Sequence, residues 1–218
     1  MATRNSSSST AGRGRSSPKN QIIEMLKADH KKVKKAFKDF EKLDPQEDPE
    51  ACQSLVEQTL AEIEVHAQLE EQIFYPAARE AIKEEELIDE AEVEHMTAKV
   101  LIEQLKGMSA EDEKFAATFK VLGEYIDHHV KEEENEMFKQ MTRTGVDWDS
   151  VLIQMQEQRM ALLEEKGLPP EGEAEEAAEA AMSGSRSAAS ATRGMSRGAG
   201  EARPQASSRS RKSGSEKE

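Results

Sequence analysis

The chain has 218 residues, enough for one domain with a substantial core, and 34% of them are charged while only 4% are aromatic. Its formal charge of −14 is carried by the middle of the sequence, which excludes a folded surface that grips nucleic-acid phosphates with clustered Lys and Arg. The lone cysteine, Cys52, excludes an intrachain disulfide, a thiolate zinc site and an iron–sulfur cluster built from this chain alone, and no apolar run approaches the ~18 residues that cross a bilayer.

Residues 1–19 are rich in Ser, Gly and Arg and predict a disordered basic tail. A first helix follows, with Ile22, Leu26, His30, Val33, Phe37 and Phe40 stepping by three or four along one face. Asp48-Pro49, a capping residue followed by proline at the first helical position, opens a second helix with the stripe Val56, Ile63, His66, Glu70, Ile73 and Ala77. Pro76 within it predicts a kink or local break just after Phe74-Tyr75.

A third helix is predicted from Glu84 to Met108, with Ile88, Ala91, His95, Ala98, Ile102 and Leu105 on its inner face. Ser109 and Asp112 have the spacing of a capping box and are expected to start a fourth helix. Its stripe is Phe115, Phe119, Leu122, Ile126, His129, Glu133 and Met137. A shorter amphipathic stretch from Trp148 to Lys166 reads as a helix packed across the others. Short connections favour antiparallel neighbours, so the expected fold class is all-α: an up-down-up-down four-helix bundle over 20–142, an additional packing helix over 143–168, and a disordered low-complexity tail over 169–218.

Each of the four bundle helices places a histidine on an otherwise apolar stripe, and two stripes add a glutamate four residues on, His66 to Glu70 and His129 to Glu133. Such polar groups cost free energy inside a bundle unless they are paired or bound to metal. One helical turn puts imidazole and carboxylate on the same face, and a carboxylate from each of two helices can bridge two ions. The pattern suits a dinuclear site with nitrogen and oxygen donors, a set that fits iron, manganese or zinc.

Four stretches carry a family resemblance: Ala28-Asp29-His30; His66-Ala67-Gln68-Leu69-Glu70-Glu71 with Phe74-Tyr75-Pro76; Glu94-His95; and His128-His129-Val130-Lys131-Glu132-Glu133-Glu134 with Met137-Phe138. Over roughly residues 20 to 142 the chain resembles the hemerythrin HHE cation-binding domains. The resemblance implies two non-haem iron ions, with His30, His66, His95 and His129 as ligands and Glu70 and Glu133 as bridges. Oxygen-carrying hemerythrins place a fifth histidine one turn from the position of His95, where this chain has Ala91 and Lys99. The likeness is therefore to members linked to iron sensing, stress response and repair of iron centres, with dioxygen, peroxide or nitric oxide as the small ligand.

Two other readings stay open: a di-iron enzyme that reduces peroxide or nitric oxide or repairs iron–sulfur clusters, and a metal-free helical interaction module. His128 falls beside its stripe and is read as no ligand, Glu71 and Glu134 as solvated or supporting groups, and Tyr125 as either a partner to a ligand or ordinary packing. Glu134 can replace Glu133 if the helix is locally irregular. Cys52 is read as a small residue near a helix start, and the run Lys31, Lys32, Lys34, Lys35 and Lys38 as a solvated face. A cytoplasmic location is expected, without membrane contact, and nucleic acid is met only weakly, through the Arg-rich tail with Arg193, Arg197, Arg203, Arg209 and Arg211.

Overall fold

The computed structural model describes residues 16–142 and 145–170, so the two low-complexity tails lie outside the described residues except at their inner edges. Helix α1 (Pro18–Phe40) begins slightly earlier than the composition suggests, because the Ser17 side chain accepts the Asn20 N–H and Pro18 supplies a preset first helical residue. Helix α2 starts at Pro49 under the cap of Asp48. It runs as α-helix over Pro49–Leu69, as a π-helical turn over Glu70–Phe74 and as α-helix again over Tyr75–Ala81.

Helix α3 spans Glu86–Lys106. Helix α4 repeats the design of α2, with α-helix over Phe115–Glu132, a π-helical turn over Glu133–Met137 and a last short piece, Phe138–Gln140. Consecutive helices pack as neighbours and α4 returns to α1, closing a four-helix bundle. Helix α5 (Trp148–Lys166) lies across α1 and α2, burying Met155 and Leu162. No strand occurs among the described residues, and none of their helices is long and apolar enough to cross a membrane.

Three local expectations need correction. Pro76 causes no break: the Tyr75 N–H bonds to the Glu70 carbonyl five residues back, and this widened turn carries the helix past the proline. The same widening inserts one residue into the stripe. Phe74 and Ala78 are therefore fully buried where Ile73 and Ala77 were expected, and Tyr75 comes inside with them.

Ser109 and Asp112 form one of the two expected bonds, Asp112 accepting the Ser109 N–H at 2.7 Å, but the Ser109 hydroxyl accepts from Glu111 and the pair closes a turn ahead of the helix. The Ala110 N–H is drawn to Gln53 of α2, and α4 begins only where its apolar stripe does, at Phe115.

Two apolar layers fill the bundle. One joins Ile22, Leu26, Leu69, Phe74, Tyr75, Ile88 and Phe138 with Met155 and Leu162 of α5. The other joins Val33, Val56, Leu60, Ile63, Ile102, Phe115, Phe119, Leu122 and Ile126, with Cys52 buried at its edge. Gly123 of α4 lets α1 approach closely, since a Cβ there would stand 2.9 Å from the Phe37 ring. Between the two layers, at one level of all four helices, lies a band of polar side chains.

Candidate metal centre

His30, His66, Glu70, His95, His129 and Glu133 are all buried, Glu70 and Glu133 to 0% and 1% exposure. The stripes bring them to this level because each follows the inward face of its helix. His30 and His66 meet with their Nε2 atoms 3.1 Å apart, and His95 and His129 with theirs 3.2 Å apart.

Around the first pair, Glu70 Oε1 lies 3.1 Å from His66 Nε2 and Glu133 Oε2 lies 3.2 Å from His30 Nε2. Glu70 turns its other oxygen, Oε2, to within 3.4 Å of His95 Nε2. Two donor groups result, His30-His66-Glu70-Glu133 and Glu70-His95-His129, each with ligand atoms within 4.8 Å of one another. Glu70 belongs to both groups and Glu133 to the first alone.

The far side of every imidazole is held by a carboxylate. Glu134 lies 2.9 Å from His30 Nδ1, Asp29 3.3 Å from His66 Nδ1, Glu71 2.9 Å from His95 Nδ1 and Glu94 2.9 Å from His129 Nδ1. A carboxylate accepting from Nδ1–H selects the tautomer whose Nε2 lone pair is free, and it raises the basicity of that nitrogen. All four free nitrogens face the interior.

This arrangement fits metal ions and is poor without them. Glu133 Oε1 is buried without a hydrogen-bond partner, and Glu70 Oε1 and Glu133 Oε2 make none either, facing only the Nε2 atoms of His66 and His30, a costly state for an oxygen anion unless positive charge stands there. Each pair of facing Nε2 atoms can share at most one proton. Nitrogen and oxygen donors in two groups that share a carboxylate match the needs of two divalent ions.

Without metal, protons take the place of positive charge. Burial alone would lower the pKa of His66, but Glu70 and Asp29 outweigh it and hold the imidazolium well above the usual 6.5. His95 is likewise opposed by burial, yet Glu70 and Glu71 raise it to about 9. The two central carboxylates diverge. Glu70 is held well below 4.5 because His66 and His95 overcome burial, whereas burial and then the charge of Glu70 push Glu133 up.

Several contributors carry no assigned role in the sequence reading. Tyr75 sends its hydroxyl to 3.3 Å from both Glu70 Oε2 and His95 Nε2. Burial, and next the charges of Glu70 and Glu133, push this phenol well above its usual 10, so it is neutral in the metal-free chain. Arg159 of α5 grips Asp29 through two nitrogens, at 2.7 and 2.5 Å. Burial opposes ionisation of Asp29, but Arg159 and His66 together bring its pKa down to about 2.

For the four supporting carboxylates the available signal was adjacency: Asp29, Glu71, Glu94 and Glu134 each sit next to one of the six central residues, whereas Tyr75 and Arg159 had no such signal. His128 points outward, 62% exposed, toward Glu94 and Glu132. Tyr125 is 45% exposed, away from the interior.

A cavity of about 250 Å³ adjoins the histidines on the side away from Tyr75 and Phe138. Its walls include Val33, Ile63, Ala98, Ile102, Ile126 and Val130, and Glu64, Gln68, Lys99 and Glu103 stand at its edge between α2 and α3. Glu70 and Glu133 do not line it. Lys99 itself is tied to Glu71 at 2.7 and 2.5 Å.

Comparison with known proteins agrees with this geometry. The family model described as hemerythrin HHE cation-binding domain matches residues 21–141. A solved structure of a hemerythrin HHE cation-binding domain-containing protein from Mycobacterium kansasii has the same fold, with a TM-score of 0.53 at 20% identity, over 63% of this chain and 86% of that one. A protein of Nostoc sp. named DNA nickase is 29% identical over 120 residues, which make up 54% of this chain and 32% of the relative, so the chain spans about a third of that protein's length. With the matched region covering more than half of its length, the chain belongs to the hemerythrin HHE cation-binding domain family and binds metal cations through this fold.

Proposed function

We propose that the chain is a non-haem di-iron protein that handles or senses iron, dioxygen or nitrogen oxides under stress. His30, His66, Glu70 and Glu133 would hold one ion, and His95, His129 and Glu70 the other. The observation that carries this reading is the shared orientation of the four imidazoles, each with Nδ1 on a carboxylate and Nε2 turned inward. Glu70, which falls in both donor groups, and Glu133, whose Oε1 has no hydrogen-bond partner, would be the carboxylates shared between the two ions.

Bound iron would supply open coordination positions and reversible one-electron chemistry toward small oxygen and nitrogen ligands. The protein's part is orientation and access. Tyr75 and Phe138 close one side of the polar band with aromatic side chains, so a small ligand enters from the cavity. Its apolar walls favour dioxygen, peroxide or nitric oxide over larger anions.

A di-iron enzyme acting on peroxide or nitric oxide is the second reading, favoured by the same cavity. The nicking activity in the name of the Nostoc relative belongs to a protein most of which this chain does not match, and it is not carried over.

Anaerobic loading with ferrous iron, followed by metal analysis, tests the ligand set. About two irons per chain are expected, with loss of binding in His129→Ala and Glu70→Ala and none in His128→Ala. Unchanged iron content in the first two variants would overturn the assignment. Sustained turnover with peroxide and a reductant would select the enzyme reading.

A further inference from the structure

The two donor groups are unequal: the first has four protein donors and the second three. Tyr75 stands at the poorer one. Its hydroxyl oxygen is 3.3 Å from Glu70 Oε2 and 3.3 Å from His95 Nε2, which are themselves 3.4 Å apart. The three atoms form a nearly equilateral triangle.

Those lengths suit coordination better than hydrogen bonding. A phenol donating to a carboxylate settles at roughly 2.5–3.0 Å. By contrast, donors held ~2.0–2.2 Å from a common ion at tetrahedral or octahedral angles stand roughly 3.0–3.4 Å from one another. His95 Nε2 to His129 Nε2, at 3.2 Å, falls in the same range.

The other half of the bundle makes the asymmetry specific. Tyr75 closes the π-helical turn that follows Glu70, and Phe138 closes the matching turn that follows Glu133. Phe138 lies parallel to His30 with ring centroids 6.3 Å apart and has no oxygen to offer. The additional oxygen donor therefore stands only beside the smaller group.

Resting on the di-iron reading, we propose that Tyr75 is a ligand of the ion held by His95 and His129, bound through its phenolate oxygen, and that it adds a donor to the smaller group. The widened turn makes this possible by turning Tyr75 inward. Formation of the bond releases the phenol proton to solvent, and no electron is transferred. The two ions then differ, one held by imidazole and carboxylate alone and the other also by a phenolate.

The test uses the full chain loaded with ferrous iron and then oxidised in air. Iron content is measured alongside the visible absorption, and resonance Raman excitation is placed within any visible band. Tyrosinate bound to ferric iron gives a ligand-to-metal charge-transfer band with enhanced tyrosine ring modes. The chain has two tyrosines, so Tyr75→Phe should abolish the band while Tyr125→Phe keeps it.

Circular dichroism confirms that Tyr75→Phe retains its helices, and a fall from two irons to one in that variant also supports ligation. Two irons per chain with no such band in the unaltered protein, or a band that survives Tyr75→Phe, would overturn the proposal and leave the di-iron reading standing. Failure of the unaltered protein to bind iron would overturn both.

Discussion

Oε1 of Glu134, on α4, lies 2.9 Å from Nδ1 of His30 on α1, and this contact crosses the bundle to the residue that Glu134 serves. Glu71 repeats it across the other half, reaching His95 at the same 2.9 Å. Neither carboxylate belongs to the inward-facing donor groups, yet each fixes the orientation of an imidazole that does. Glu71→Ala and Glu134→Ala are each expected to weaken iron binding by about 10- to 100-fold. Competition with a chelator of known affinity measures this, and wild-type affinity in both variants would remove the role assigned to these residues.

Asp29 and Arg159 join α5 to the bundle and are 12% and 11% exposed at their side chains. Removing one partner leaves a charge buried beside His66. Arg159→Ala is therefore expected to cost roughly 3 kcal/mol of stability, measured by urea denaturation. The acid dependence follows from the lowered pKa of Asp29. Its contribution is present above the ordinary 3.8 and is lost as pH falls through about 2. The stability difference between Arg159→Ala and the unaltered chain should shrink over that window.

Metal-free and metal-loaded chains should respond oppositely to alkali. In the metal-free chain the raised pKa of His95 contributes stability that is fully present below 6.5 and is lost as pH rises through about 9. Metal binding needs the same nitrogen deprotonated, so the loaded chain gains what the metal-free chain loses. The expected result is a Tm that falls between pH 6.5 and 9 without metal and does not fall with it. Loading in weak buffer at pH 7 should also release protons, since His66 and His95 both hold theirs there without metal.

The close approach of α1 and α4 is testable at Gly123. Alanine is the better helix former by about 1 kcal/mol. Its Cβ would stand 2.9 Å from Phe37 Cδ1 and 3.1 Å from Cγ, and overpacking of this kind costs ~1–3 kcal/mol. Gly123→Ala should therefore lower stability by about 1 kcal/mol net, and Phe37→Leu in the same chain should relieve it. Additive effects of the two substitutions would show that the contact does not govern helix spacing.

Much of the bundle was legible because its inner faces are periodic. On α3 the predicted stripe is the buried set, and on α1 and α4 it holds most of the buried residues, the central histidines among them, but misses Asp29, Thr118 and Val130 and includes the half-buried Phe37. Legibility failed where the backbone leaves the 3.6-residue repeat. Nothing in the local composition announces the widened turn at Glu70–Phe74, so Phe74 and Tyr75 were not placed on the inner face. Pro76 and the family resemblance both drew attention to that segment, but neither gave the register of the turn.

The supporting carboxylates were only partly legible, for a different reason: Glu71 and Glu134 read as solvated or supporting groups, and Asp29 and Glu94 had no separate role. Asp29 and Glu94 precede a central histidine, and Glu71 and Glu134 follow a central glutamate, positions rotated about 100° from the inward face. On one helix such residues read as solvated. Only with two helices side by side does each reach the back of a neighbour's imidazole. Arg159, on a helix outside the four-helix bundle, could not be paired with Asp29 from spacing at all.

Iron-edge anomalous diffraction from crystals of the anaerobically loaded chain would locate the ions themselves. Two peaks are expected within the polar band, one enclosed by His30, His66, Glu70 and Glu133 and the other by Glu70, His95 and His129. No peak among these residues, or iron bound only at Glu94, His128 and Glu132 near the surface, would contradict the ligand assignment.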